Sequence, residues 1–95
     1  MIVDCHVNVY EDSQMLPKFA ALATIARAGG FPPRADPDTV HDAMREVDKA
    51  IVFSLRYKDS IGIDGDDEVT ARAVAKYPDK LIGRASCRER VWIPV

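Results

Sequence analysis

The stretch "KAIVFSL", residues 49–55, constrains this chain most. It is apolar over the length of a strand, with neither strict alternation nor a helical period. That is the pattern of a strand buried on both faces, as in a parallel sheet covered by helices. The chain supplies such helices on either side of it. In "DPDTVHDAMREV", Asp36 is the N-cap and Pro37 the first helical residue, where a missing N–H would be unpaired anyway. Val40, Met44 and Val47 form the apolar stripe of that helix. A later helix is predicted over about 66–77. Asp66, Asp67 and Glu68 favour its N-terminus, Val69, Ala73 and Val74 line its buried side, and Pro78 ends it. An earlier helix is predicted over 13–28, with Ser13 as N-cap, an apolar series through Leu16, Phe19 and Ala23, and Gly29 and Gly30 as stop signals.

The opening "MIVDCHVNVY" reads as a strand, because its aliphatic residues are β-branched and lack a helical period. Alternation sets Ile2, Asp4, His6 and Asn8 on one face and Val3, Cys5, Val7 and Val9 on the other. The second face is apolar, and Cys5 is expected in the core. "KLIG", from Lys80, begins a third strand that is expected to pair with the second, while "RYKDSIGIDGDD" reads as a loop. The order β, α, α, β, α, β predicts an α/β fold with a parallel sheet. In such sheets function sits at the C-terminal ends of the strands.

His6 and Asn8 stand at that end of the first strand and are candidate metal ligands. Arg56 stands at that end of the second. Its guanidinium can clamp a substrate carboxylate with two parallel hydrogen bonds, or pair with Asp59 or water. His41, on the second helix beside Asp42, reads as a solvated surface residue. The acidic "IDGDDE" lacks the spacing of a calcium-binding EF-hand loop, and helix capping accounts for it. A formal net charge of −2 over 95 residues disfavours nucleic acid and anionic membrane as partners. Cys5 and Cys87 have no motif spacing, so a reducing cytoplasm is expected.

"IVDCHVNVY" resembles the opening of the amidohydrolase superfamily, whose first strand reads apolar-Asp-x-His-x-His. "MREVDKAIVFSL" and "VAKYPDKLIG" resemble the second and third strands of its amidohydrolase-related branch of metal-dependent hydrolases and decarboxylases. The resemblance covers residues 1 to about 83. It implies a (β/α)8 TIM barrel holding a divalent metal, most often zinc. It also implies a parent enzyme that hydrolyses or decarboxylates a small organic acid and leaves room for a homo-oligomer. His6 matches the first histidine of the motif and is an implied metal ligand. Asn8 stands where the second should be, and a neutral amide oxygen is a poorer zinc ligand than imidazole. Asp4 would serve as a hydrogen-bond partner to the site.

A full barrel takes roughly 200–250 residues, so the chain is expected to hold only the first strands of one, truncated and inactive by itself. "IGRASCRERV", from Ile82 to Val91, resembles one reading frame of a common short-read sequencing adapter. Residues 84–95 are accordingly expected to be a non-native tail. Arg84, Arg88 and Arg90 fall where a buried third strand would be apolar. The alternative reading is a small non-catalytic α/β module that binds an acidic ligand through Arg56.

Overall fold

The computed structural model describes residues 1–19, 24, 28 and 34–88. Strands β1 (Val3–Asn8), β2 (Lys49–Phe53) and β5 (Leu81–Gly83) form a three-stranded sheet in the order β1-β2-β5, with both pairs parallel. The pairing of the first two strands, and the third strand beginning after Lys80 beside the second, are as the sequence predicts. Helices α1 (Pro37–Ala43) and α2 (Asp67–Lys76) lie in the connections before β2 and before β5. The fold is therefore α/β.

The second strand does not end where its apolar run ends. After Ser54 the chain resumes as β3 (Leu55–Tyr57), which turns back into β4 (Ile63–Asp64) as an antiparallel pair. The expected loop over 56–67 is thus a short hairpin with its turn at 58–62. On the other side of β3 lies β6 (Cys87–Arg88), parallel to it. The amide of Arg84 donates to the carbonyl of Val52, and that of Cys87 donates to the carbonyl of Ser54, both at 3.0 Å. Residues 81–88 therefore follow 49–57 as one neighbour, across the boundary that the sequence predicts at 83/84.

The turn at 58–62 closes through Gly62, whose φ of +79° is a conformation that L side chains rarely adopt. A Cβ there would also stand 2.8 Å from the backbone nitrogen of Phe19. Gly62→Ala is expected to cost about 1 kcal/mol or more, measured as a lower urea midpoint at unchanged slope.

The apolar layer lies between the parallel sheet and α2. Ala50, Val52 and Leu81 from the sheet and Val69 and Ala73 from α2 are all buried. A Cβ on Gly83 would come 3.1 Å from the Thr70 methyl and 3.2 Å from a Val74 methyl, so this row of the sheet faces α2 directly. Both helices start as the sequence predicts: Asp36 accepts from the Thr39 amide at 3.2 Å, and Asp66 from the Val69 amide at 3.0 Å. α1 ends at Ala43 rather than continuing to Val47, and residues 44–46 form a turn.

The start of the helix expected over 13–28 is different. Asp12–Gln14 is a 3-10 turn, closed by the Glu11 amide donating to the Gln14 side-chain oxygen at 2.9 Å. Ser13 lies inside that turn and is not a helix cap. Met15 bridges antiparallel to Ile63, which pulls 15–18 away from helical geometry. Phe19, Thr24 and Ala28 are helical, and the rest of that segment, with Gly29 and Gly30, lies outside the described residues. Arg90 lies outside them too.

Two further expectations change for physical reasons. Cys5 is exposed, as is Val3. Between Asp4 and Val7 the ladder shifts by one: Asp4 pairs with Ala50 but Val7 with Val52, so three steps on β1 match two on β2. This β-bulge breaks the alternation on which a continuous apolar face depended. His41 is half-buried rather than solvated. Its ring stacks on Tyr77 at 3.8 Å between centroids and 13° between planes. Beside it, Asp38 accepts from Lys76 Nζ at 2.6 Å and from the Tyr77 hydroxyl, tying α1 to the end of α2. The hydrogen bond from Lys76 holds the Asp38 carboxyl below the usual carboxylate range, and the bond to Asp38 raises the Tyr77 hydroxyl.

Candidate functional site

The C-terminal ends of β1, β2 and β5 meet on the sheet face opposite α2. Asn8 pairs with Phe53, and one step beyond the Val52–Gly83 pair sets Arg84 on the other side of Phe53. Parallel neighbours point their side chains the same way, so Asn8, Phe53 and Arg84 form one row. The contacts agree with this row. The Arg84 guanidinium lies 4.6 Å over the Phe53 ring. The His6 ring meets the same ring edge-on at 4.8 Å, with 76° between planes. Phe53 is fully buried, while His6 and Arg84 are exposed.

The bulge in β1 decides how the two sequence-predicted ligands are presented. His6 and Asn8 stay on the same side, two positions apart with only Val7 between them, and both turn toward Phe53. Asp4 accepts from the backbone amide of His6 at 3.0 Å. It thus holds the bulge closed and does not orient the imidazole. Asn8 is half-buried, and its Oδ1 is buried with no hydrogen-bond partner among the described residues. A buried acceptor left unpaired costs roughly 1–3 kcal/mol, so this oxygen is a cost to the fold unless a donor reaches it.

Arg56 is brought elsewhere. Its Nη2 is 3.3 Å from the carboxylate of Asp67, in the first turn of α2, the helix on the other face of the parallel sheet. The ion pair is with Asp67 and not with Asp59. Asp67 also accepts from the Ser86 hydroxyl at 2.6 Å and the Ser86 amide at 2.7 Å. Those two bonds, with Arg56 adding attraction, hold the Asp67 carboxyl below its ordinary range. An acidic ligand at that nitrogen would compete with Asp67.

Two features escape sequence reasoning. Arg84 joins the row beside Phe53 although its segment reads as a tail; the signal was its position just beyond the third strand. A groove of about 620 Å³ runs between α2 and the exit of β5, lined by Thr70, Val74, Gly83, Arg84 and Ala85 among others. Thr70 Oγ1 is buried there without a hydrogen-bond partner among the described residues. This groove belongs to the helix side of the sheet and not to the His6 side.

Among the described residues, no three His, Cys, Asp or Glu side chains converge in a group that could hold a metal ion. Among the same residues, no helix is long and apolar enough to cross a membrane. Comparison with protein-family models gives no match, and comparison with curated proteins and with solved structures gives none either.

Proposed function

We propose that residues 1–83 are the opening β/α units of an amidohydrolase-related (β/α)8 barrel, from a cytoplasmic, metal-dependent enzyme that hydrolyses or decarboxylates a small organic acid. The observation that carries this reading is the order of the parallel sheet. β1, β2 and β5 are neighbours in chain order, all parallel, with His6 and Asn8 at the C-terminal end of the first. That arrangement agrees with the first three strands of such a barrel, whose chemistry sits at that end.

The donors present do not make a zinc site by themselves. Catalytic zinc takes three protein ligands and an open position; His6 offers an imidazole and Asn8 an amide oxygen. The reading therefore assigns the metal to the whole parent protein, and no catalytic step to this chain. His6 supplies a ligand there. The unpaired Oδ1 of Asn8 accepts from a water or substrate, or contacts a harder cation.

Two measurements test this. Zinc titration by calorimetry is expected to show binding weaker than micromolar. A panel of esters, lactones and aromatic acids is expected to show no turnover by the 95-residue chain. Submicromolar zinc binding that His6→Ala abolishes, or any turnover lost in that variant, would mean the chain is a complete functional unit.

A further inference from the structure

Strands β3 and β6 pair in a register that sets two arginines side by side. Arg56 on β3 is the parallel partner of Arg88 on β6. Parallel neighbours point their side chains the same way, and like charges so placed repel and weaken the pairing. β6 is two residues long, Cys87–Arg88, so it brings few backbone bonds to resist that repulsion. The Cys87 amide donates to the carbonyl of Ser54 at 3.0 Å.

Asp67, in the first turn of α2, reaches both sides of this seam. Its Oδ2 is 3.3 Å from Arg56 Nη2 on β3. Its Oδ1 accepts from the amide and the hydroxyl of Ser86, the residue that leads into β6, at 2.7 and 2.6 Å. Arg88 adds its attraction to the same carboxylate. The other acids nearby do not take this place. Asp64 on β4 is the antiparallel partner of Arg56, and in the order β4-β3-β6 it stands on the far side of β3 from Arg88. Asp66 accepts from the Val69 amide as the cap of α2. Glu68 follows on the helix and forms no ion pair among the described residues.

We propose that Asp67 is a charge latch: its carboxylate holds β6 on β3 against the repulsion between Arg56 and Arg88, and removing that charge releases residues 86–88 from the sheet. The proposal is independent of the reaction assigned above, since it needs only this seam.

Protonation is one way to remove the charge. The Ser86 hydroxyl and amide, with the two arginines, hold the Asp67 carboxyl below its ordinary range. The latch is therefore closed at neutral pH and opens only as pH falls through that lowered value.

Hydrogen exchange followed by NMR on the full 95-residue chain tests this. Asp67→Asn keeps an acceptor for Ser86 and removes only the charge. At neutral pH this variant is expected to exchange the Cys87 amide about tenfold faster than the wild type, or more. The Arg84 amide, bonded to Val52, and the Ala50 amide, bonded to Lys80, are expected to keep their protection. Added salt is expected to slow Cys87 exchange in Asp67→Asn by screening the two arginines from each other. Arg88→Gln in that background is expected to return it toward the wild-type rate. Arg88→Gln alone is expected to leave the Cys87 amide at least as protected as in the wild type. Cys87 exchange that Asp67→Asn does not change, or that Arg88→Gln does not recover, overturns the latch. So does a loss of protection in Arg88→Gln alone, or a wild-type Cys87 amide that exchanges as fast as in an unfolded chain. Loss of protection at Ala50 and Arg84 in Asp67→Asn would mean that Asp67 supports the whole fold and not β6, and overturns it too.

Discussion

Phe53→Ala is expected to cost about 3–5 kcal/mol of folding stability. The ring is fully buried at the end of β2, with the His6 imidazole against it on one side and the Arg84 guanidinium over its face. Removing it deletes a large apolar surface and leaves a cavity between two polar groups that have no other shared support. A chain of 95 residues has a total stability of roughly 5–14 kcal/mol at common per-residue values, so the loss is a large fraction of the whole. Urea denaturation followed by circular dichroism measures it. A loss below about 1 kcal/mol, the usual range for surface sites, would mean that the ring does not hold these strand ends together.

Gly65→Ala is expected to cost about 1–3 kcal/mol through overpacking. Gly65 leads into α2, and a Cβ there would stand 1.9 Å from Ser54 Oγ and 2.7 Å from the Leu55 carbonyl oxygen. The Gly65 amide donates to that same carbonyl at 2.8 Å, so the backbone cannot move away without losing the bond. Ser54→Ala should behave in the opposite sense. Ser54 is fully buried and its Oγ has no partner among the described residues, so removing the hydroxyl relieves an unpaired group and is expected to leave stability unchanged or higher. The two sites touch, so their effects should not add. In the double variant the serine oxygen no longer obstructs the new methyl, and the cost of the glycine change falls toward that of the carbonyl contact alone. Thermal unfolding of the four proteins of this cycle measures the coupling. Strict additivity would show that Gly65 and Ser54 do not meet as described.

Most of the architecture could be read in the residues because local and long-range signals agree. "KAIVFSL" demands cover on both faces, and five of its seven residues, Ala50, Val52, Phe53, Ser54 and Leu55, are buried. Asp36 with Pro37, and Asp66 with Pro78, bracket the two helices by short-range chemistry that no tertiary contact opposes. The departures arise where tertiary contacts overrule local preference. Ser13 and the apolar series after it satisfy a helix pattern, but Met15 bridges to Ile63, nearly fifty positions away in the chain. Likewise Tyr57 and Ile63 pair across a turn in a stretch whose polar composition reads as loop.

The candidate site was legible by position and not by partnership. His6 and Asn8 share a face at the expected end of β1. The aromatic ring that supports His6 comes from a strand more than forty residues on, and sequence periodicity carries no information about such pairing. Arg56 is the clearest instance. Its place after β2 was evident, but its side chain is claimed by Asp67, a residue the sequence explained fully as helix-terminal charge.

The bulge in β1 has a consequence for what the strand tolerates. Because three steps on β1 span two on β2, the segment between Asp4 and Val7 holds one residue more than a regular ladder needs. A chain lacking Cys5 would therefore not be frameshifted against its neighbour. Asp4 would still meet Ala50, Val7 would still meet Val52, and His6 would fall beside Ile51 in an unbroken ladder. The spare residue acts as slack in the strand: length can be lost at that one place while Asn8 keeps its station beside Phe53.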